Sequence, residues 1–470
     1  MPAHLKHIKK PGELGGRLAG KSLPMQVLTL AVWPLMELAL TSLVGLVDLA
    51  LAGHLPDEPA RLAATNAIGV AAFIGWLFAV IVNMVGTGAT ALIARAIGGG
   101  RNAVANAALG QALLLGTLMG AAAGVALFAM APWIGMLIKQ EGLALDNVVT
   151  YLRITMAFGP VTAIVMIGLA CLRGAGDTRT PFVIMLIVNV VNIGVSVLLV
   201  RGPGALGGHG VAGIAWGTSI AWVLGAVLVL FVLGRGGVIR LRRKRLMPHK
   251  HTMSRILRVG VPTLIEQVGG TWLATFIVLY IVGHLEKQSG APGMVGAHMI
   301  AIRIESLSFM PGMALSTAAA TLVGQYLGLG DPDRAKRAGW LCFGYGAVVM
   351  GLMGIAFILV PEALAGLITQ SPSQIEQART LLMICGAVQI GFASYMILSG
   401  ALRGAGDTKA TMWITYACVY TVRVPGAFIL GILCGLGLPG VWLALCGDLM
   451  AKGLVFGGRF AHGGWKDAKV

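Results

Sequence analysis

Apolar residues in this chain do not alternate with polar ones. They run on for span lengths, at about 24–53, 63–94, 103–131, 148–171, 181–200, 211–234, 256–284, 294–327, 336–360, 379–401, 410–434 and 439–457. Each stretch is long enough to cross a bilayer as a helix. Short polar or Gly- and Pro-containing segments separate them. The longer stretches must tilt, kink or project beyond the hydrocarbon. The pattern predicts an all-α integral membrane protein of twelve transmembrane helices. Its expected organisation is an N-terminal tail at 1–23, spans one to six at 24–234, a basic linker at 235–255, spans seven to twelve at 256–457 and a C-terminal tail at 458–470.

The two sets of six spans share an internal repeat. Leu172 to Thr178 reads LRGAGDT, and Leu402 to Thr408 reads the same, 230 residues later. Gly53-His54-Leu55 returns as Gly283-His284-Leu285, and Gly210-Val211 as Gly440-Val441, at the same offset. One offset across three separated stretches is a duplication. An even number of spans per repeat makes the halves parallel, as in transporters that place their site at the repeat interface.

Composition agrees, with 57% hydrophobic and 11% charged residues. The net charge of +17 invites a nucleic-acid partner, but its distribution argues against one. Most Lys and Arg fall in the two tails and the even-to-odd loops, leaving Arg61, Lys139, Arg153, Arg201, Lys287 and Arg379 on the other side. This is the positive-inside asymmetry, and it predicts a multi-pass protein of the cytoplasmic (inner) membrane with both termini cytoplasmic. The densest run, Arg240 to Arg245, reads as a cytoplasmic linker touching anionic headgroups. The basic, polar start and the long first apolar run do not read as a cleavable signal peptide. The six cysteines lie in or beside apolar segments and form no CxxC, so they read as small core residues.

Gly116, Gly120 and Gly124 put small residues at four-residue spacing, which lets helices approach closely in lipid. Two GxGxxG matches, at Gly202/Gly204/Gly207 and Gly435/Gly437/Gly440, follow no strand and read as turns. In the LRGAGDT loops, Arg173 and Arg403 are expected at the membrane boundary, meeting headgroups or capping carbonyls. Asp177-Thr178 and Asp407-Thr408 suit helix N-caps.

Ionisable residues inside spans are costly, and each needs a reason. The carboxylates are Glu37, Asp48, Glu266, Glu305 and Asp448; the arginines are Arg303 and Arg423. Asp48 follows Pro34, which should kink its helix, so a proton on Asp48 could switch between two helix conformations. Glu37 lies three turns away on nearly the same face and could line the same polar track. Asn189 and Asn192 of span five need partners. Glu266 follows Pro262, a second hinge position. Arg303 and Glu305 point to different faces, and Glu266 with Arg303 is one expected pair. Asp448 and Lys452 form a structural i,i+4 pair.

The paired LRGAGDT loops, the first-span segment from Pro34 through Leu43-Val-Gly-Leu-Val-Asp48 to Gly53, and Ile302-Arg-Ile-Glu-Ser-Leu-Ser-Phe-Met-Pro-Gly312 together resemble the multidrug and toxic compound extrusion (MATE) family. The resemblance covers residues 24–460. It implies two six-helix lobes forming a V around a central cavity, and export of organic cations in exchange for H+ or Na+. It implies a coupling role for Asp48. In one branch an Asn is followed four residues on by an Asp; here Asn192 is followed by Ser196, so Asp48 works with neutral partners. Glu266 resembles the seventh-span Glu that joins cation binding in another branch, which makes Na+ coupling through Glu266 the alternative; the Asp that branch carries ten residues before the tenth-span Leu is here Phe392. That departure favours H+ over Na+ coupling.

Small organic cations are therefore the expected substrates, and the bilayer the expected surroundings. No cofactor beyond the coupling ion, no metal and no nucleic-acid partner are expected, and a monomer suffices for alternating access. Phe73, Trp76, Tyr280, Arg303, Glu305, Phe309, Met310, Gln389 and Phe392 are candidates for the substrate cavity. A flippase for a lipid-linked sugar is the alternative, but it calls for more intramembrane cations to meet a diphosphate. No HExxH or GxSxG with a plausible base points to an enzyme.

Overall fold

The computed structural model describes residues 14–55, 57–289 and 293–468, with Ala205 described by its backbone alone. The first thirteen residues of the expected N-terminal tail lie outside the described residues. The described residues contain no strand. In chain order the α-helices are α1 (Leu23–Gly53), α2 (Glu58–Gly98), α3 (Asn102–Leu137), α4 (Gly142–Ala157), α5 (Gly159–Gly174), α6 (Arg179–Arg201) and α7 (Gly210–Arg235). Then come α8 (Lys250–Ile265), α9 (Leu273–Ser289), α10 (Met294–Leu329), α11 (Pro332–Leu359), α12 (Pro361–Gly366), α13 (Pro372–Ala387), α14 (Gln389–Ala405), α15 (Thr408–Cys418), α16 (Val424–Phe428) and α17 (Gly437–His462). A π-helical stretch, Glu266–Trp272, joins α8 to α9, and two more, Val419–Arg423 and Ile429–Leu433, flank α16.

Among the described residues, ten helices are long and apolar enough to cross a membrane, and twelve if each of two bent pairs is one span. The expected fourth and tenth spans are the bent pairs: α4 and α5 meet at 57°, α13 and α14 at 58°. Pro160 follows the first bend and cannot donate to the preceding turn. The second bend, at Val388, has no proline. What the two share is a close backbone approach. A Cβ on Gly124 would lie 2.6 Å from the Met156 carbonyl oxygen, and a Cβ on Gly354 2.6 Å from that of Gly386. Both pairs are related by the repeat offset of 230.

The chain divides into two compact units. One holds Met36–Ile97 and Arg101–Gly260; the other holds residues up to Leu35, Gly98–Gly100 and residues from Val261 onward. In the first unit, the small-residue stripe of α3 packs on α4 and α5. Gly116 meets Ile167, and Gly120 meets Ala163 with the Gly159 carbonyl 2.8 Å from where its Cβ would be. An apolar core of Leu51, Ala64, Ala67, Val148, Leu152, Val211 and Ile214 fills this unit. In lipid such contacts hold helices through shape and dispersion, because the solvent is itself apolar. The second unit has two cores. One surrounds Leu322, Met350, Ile397 and Phe456, and the other Val282, Ala301, Leu381 and Trp442.

The LRGAGDT loops fold alike. Asp177 N–H donates to Leu172 O (3.0 Å) and Gly176 N–H to Arg173 O (2.9 Å); Asp407 N–H donates to Leu402 O (2.9 Å) and Gly406 N–H to Arg403 O (3.0 Å). This is a Schellman closure, with Gly176 at φ 88° and Gly406 at φ 92°, where a side chain would be strained. The aspartates then diverge. Asp177 accepts from Thr180 N–H (3.1 Å) and Thr180 Oγ1 (2.6 Å), capping α6. Asp407 makes no cap bond; it accepts from Arg459 Nε (3.0 Å) and Nη2 (2.8 Å) of α17. The expectation of a second Asp cap is corrected by this ion pair, whose partner lies 52 residues away.

Candidate functional site

Glu266 begins the first π-helical stretch and is fully buried. Three donors from two helices surround it. Arg403 Nη2 of α14 donates to Oε1 (2.7 Å), Thr415 Oγ1 of α15 also to Oε1 (3.0 Å), and Thr411 Oγ1 to Oε2 (2.9 Å). A π-helical turn is a feature often found at functional positions. Here two tyrosines of the facing segment hold its backbone: Tyr416 OH donates to Ile265 O (3.0 Å) and Tyr420 OH to Gly269 O (2.8 Å). Gly269 and Gly270 make room, since a Cβ on either would run into Tyr416 or Thr415.

The other unit contains the counterpart. Arg173 Nη1 donates to both carboxylate oxygens of Glu37, at 2.9 and 3.0 Å. Each LRG arginine thus reaches back to a glutamate in the first span of its own half. The expectation of headgroup contact or carbonyl capping for Arg173 and Arg403 is corrected accordingly. So is the pairing of Glu266 with Arg303, which is exposed on α10. A guanidinium within reach of a buried carboxylate neutralises it, and neither charge then bears the membrane alone.

Asp48 differs from both glutamates. It is buried, yet its Oδ1 has no hydrogen-bond partner among the described residues. Asn189 Nδ2, Asn192 Oδ1 and Ser196 Oγ of α6 are likewise buried without a partner. Asn192 Nδ2 donates to Thr218 Oγ1 of α7 (3.0 Å), and Ser196 lies against Gly217. The structure shows no bond from Asp48 to Asn192 or Ser196. The unit therefore holds a group of unsatisfied polar atoms, of the kind native proteins otherwise avoid.

A third polar cluster uses Asp448. Its Oδ2 accepts from Arg423 Nη2 (2.7 Å), Arg423 Nε (2.8 Å) and Lys452 Nζ (2.9 Å). Lys452 also lies over the Tyr395 ring, 5.2 Å from its centroid. The i,i+4 pair read from the sequence is present, and Arg423 joins it through a span 25 residues away. The repeat partner of Asp448 is Thr218, which takes the Asn192 bond in the other half. Both halves thus tie their last two spans together with a polar bond, neutral in one and ionic in the other.

The aromatic and other cavity candidates separate. Tyr280 is 77% exposed, and Phe73, Trp76 and Phe309 are exposed as well. Glu305 and Met310 are half-buried. Gln389 and Phe392 are buried, Gln389 donating to Cys385 Sγ (3.1 Å) and Phe392 stacking on Tyr395 at 6.3 Å. Pro34 and Pro262 both lie inside continuous helices; Pro262 precedes the π-helical stretch by one turn. The threonines that hold Glu266 were missed by sequence reasoning. Their i,i+4 spacing on α15 was the only local signal.

Comparison with known proteins bears on the family and the fold. The MatE family profile matches residues 34–198 and 262–429, one stretch in each half. The chain is 31% identical over 453 residues to a probable multidrug resistance protein, NorM, of Thermotoga maritima, covering 95% of this chain and 94% of that one. It is 24% identical over 439 residues to the uncharacterized transporter YisQ of Bacillus subtilis, covering 92% and 93%. Its fold is that of a MATE crystal structure in the straight conformation, with a TM-score of 0.84 at 18% identity over 94% of this chain and 97% of that one. With the profile present in both halves and a relative matched along nearly its whole length, the chain belongs to the MATE family of multi-pass membrane transporters.

Proposed function

We propose that this chain exports amphipathic organic cations in exchange for H+, with Asp48 as the group that takes and releases the proton. The observation that carries the reading is the contrast between Asp48 and Glu266. Both Glu266 oxygens are already occupied by a guanidinium and two hydroxyls. Asp48 Oδ1 is buried without a hydrogen-bond partner among the described residues. Arrival of a proton therefore changes the solvation of Asp48 far more than that of an already compensated carboxylate. The multidrug resistance name of the Thermotoga maritima relative supports the substrate class. The exposed aromatic side chains Phe73, Trp76, Tyr280 and Phe309 offer apolar area of the kind such cations bind.

Coupling requires proton and substrate to favour different states of the carrier. One charge moved across 100 mV contributes about 2.3 kcal/mol, so few protons suffice to concentrate a substrate. Occupancy of Glu266 by three protein donors argues against Na+ coupling through that residue. The arginine-rich linker and the basic tails support placement in the cytoplasmic membrane with both termini inside.

Ethidium transport in proteoliposomes, with pH and Na+ gradients imposed separately at matched membrane potential, tests the reading. Transport driven by the pH gradient and lost in Asp48→Asn is the expected result. Transport driven only by Na+, or undiminished in Asp48→Asn, would overturn it.

A further inference from the structure

Away from these clusters, a cavity of ≈ 420 Å3 lies at the ends of three spans, within the unit that contains the C-terminal half. Its wall is formed by the segment before α1, the first turns of α1, the end of α10 and the start of α11. The segment is held in place by its own side chains. Leu14 and Leu18 are buried in the core with Leu322 and Tyr326, and Gly20, at φ 69°, turns the chain into α1. Gln26, itself buried, donates to Lys21 O (3.0 Å) and accepts from Tyr326 OH (2.7 Å).

Three cations line this cavity: Lys21, Arg334 and Arg337. Lys21 Nζ donates to Thr29 Oγ1 (2.9 Å), and Arg334 Nε pairs with Asp331 (3.2 Å). Asp331 offsets the charge of Arg334, and no carboxylate is itself a lining residue, so Lys21 and Arg337 leave the wall net positive. Leu14, Leu18 and Leu23 supply an apolar side. A guanidinium pair and an ammonium on a preformed concave wall match the tetrahedral oxygens of a phosphate. The cavity lies at the ends of three candidate spans, where a bilayer's headgroups are expected, and its cations belong to the basic side read from the sequence.

We infer that this cavity, lined by Lys21, Arg334 and Arg337 against the buried Gln26–Tyr326 pair, binds a phosphate-bearing anion at the membrane surface, supplied by an anionic phospholipid headgroup or by free phosphate. The site is separate from the proton and substrate groups, and it would tie the segment before α1 to membrane composition.

The test is native mass spectrometry of the full-length protein in detergent, titrated with phosphatidylglycerol, with phosphatidylcholine or with inorganic phosphate. The wild type is compared with Lys21→Ala/Arg337→Ala and with Arg240→Ala/Arg243→Ala, a control in the basic linker. The expected result is preferential retention of phosphatidylglycerol, or of phosphate, weakened roughly tenfold in the first variant only. Retention of the lipid without phosphate binding identifies a headgroup site; binding of phosphate alone identifies a soluble-anion site. Equal loss in both variants would mean diffuse electrostatic adhesion and would overturn the inference. Should the first variant fail to fold, the wild type still decides, because equal retention of phosphatidylglycerol and phosphatidylcholine with no phosphate bound also overturns it.

Discussion

Arg403 donates to Glu266 across 137 residues of sequence, and Arg173 donates to Glu37 across 136. The arginines differ by the repeat offset of 230, the glutamates by one residue less. The same ion pair is thus kept in both halves, although only one half has a π-helical stretch at its glutamate.

Removing one member of a buried pair leaves the other charge without compensation. Arg403→Ala is expected to destabilise the protein by about 3–5 kcal/mol. Glu266→Gln keeps hydrogen-bonding capacity for both threonines and should cost less. Thermal unfolding in detergent checks the order; an Arg403→Ala variant as stable as Glu266→Gln would contradict it.

Among the described residues Asp48 Oδ1 has no hydrogen-bond partner, so the carboxylate contributes little to holding the fold. Asp48→Asn should therefore unfold no more easily than the wild type, since it removes an uncompensated buried charge, while losing pH-driven transport. A variant that loses stability and transport together would assign Asp48 a structural role.

Gly120 meets Ala163 and the backbone of Gly159. Gly120→Val should cost about 1–3 kcal/mol by forcing α3 away from α5. Gly45→Ala in α1, where a Cβ meets nothing within 4 Å, should be close to neutral. The paired melting curves read the difference directly.

The two LRGAGDT aspartates should fail differently. Asp177→Ala removes a helix cap and should cost about 1 kcal/mol, with little dependence on salt. Asp407→Ala removes a partly exposed ion pair to Arg459, and its effect should shrink as salt rises. Unfolding of both variants at low and high ionic strength separates the two outcomes.

The apolar runs and the repeat determined the span pattern and the doubling, because bilayer thickness and backbone satisfaction leave few structures for such runs, while the family was legible only through the LRGAGDT, first-span and eighth-span motifs. The turns at Gly176 and Gly406 have a local cause, a left-handed backbone conformation that favours glycine. The partners of the intramembrane charges were not. Arg173 and Arg403 gave no local sign of the glutamates they meet, and Arg423 none of Asp448. Nor did a proline announce the bend at Val388, which lies beside a close backbone approach of Gly354 to Gly386. Only the tertiary structure decided that Glu266 is saturated by Arg403, Thr411 and Thr415 while Asp48 Oδ1 has no hydrogen-bond partner among the described residues. Long-range pairing depends on which helix faces meet, and periodicity within one helix carries no record of its neighbours.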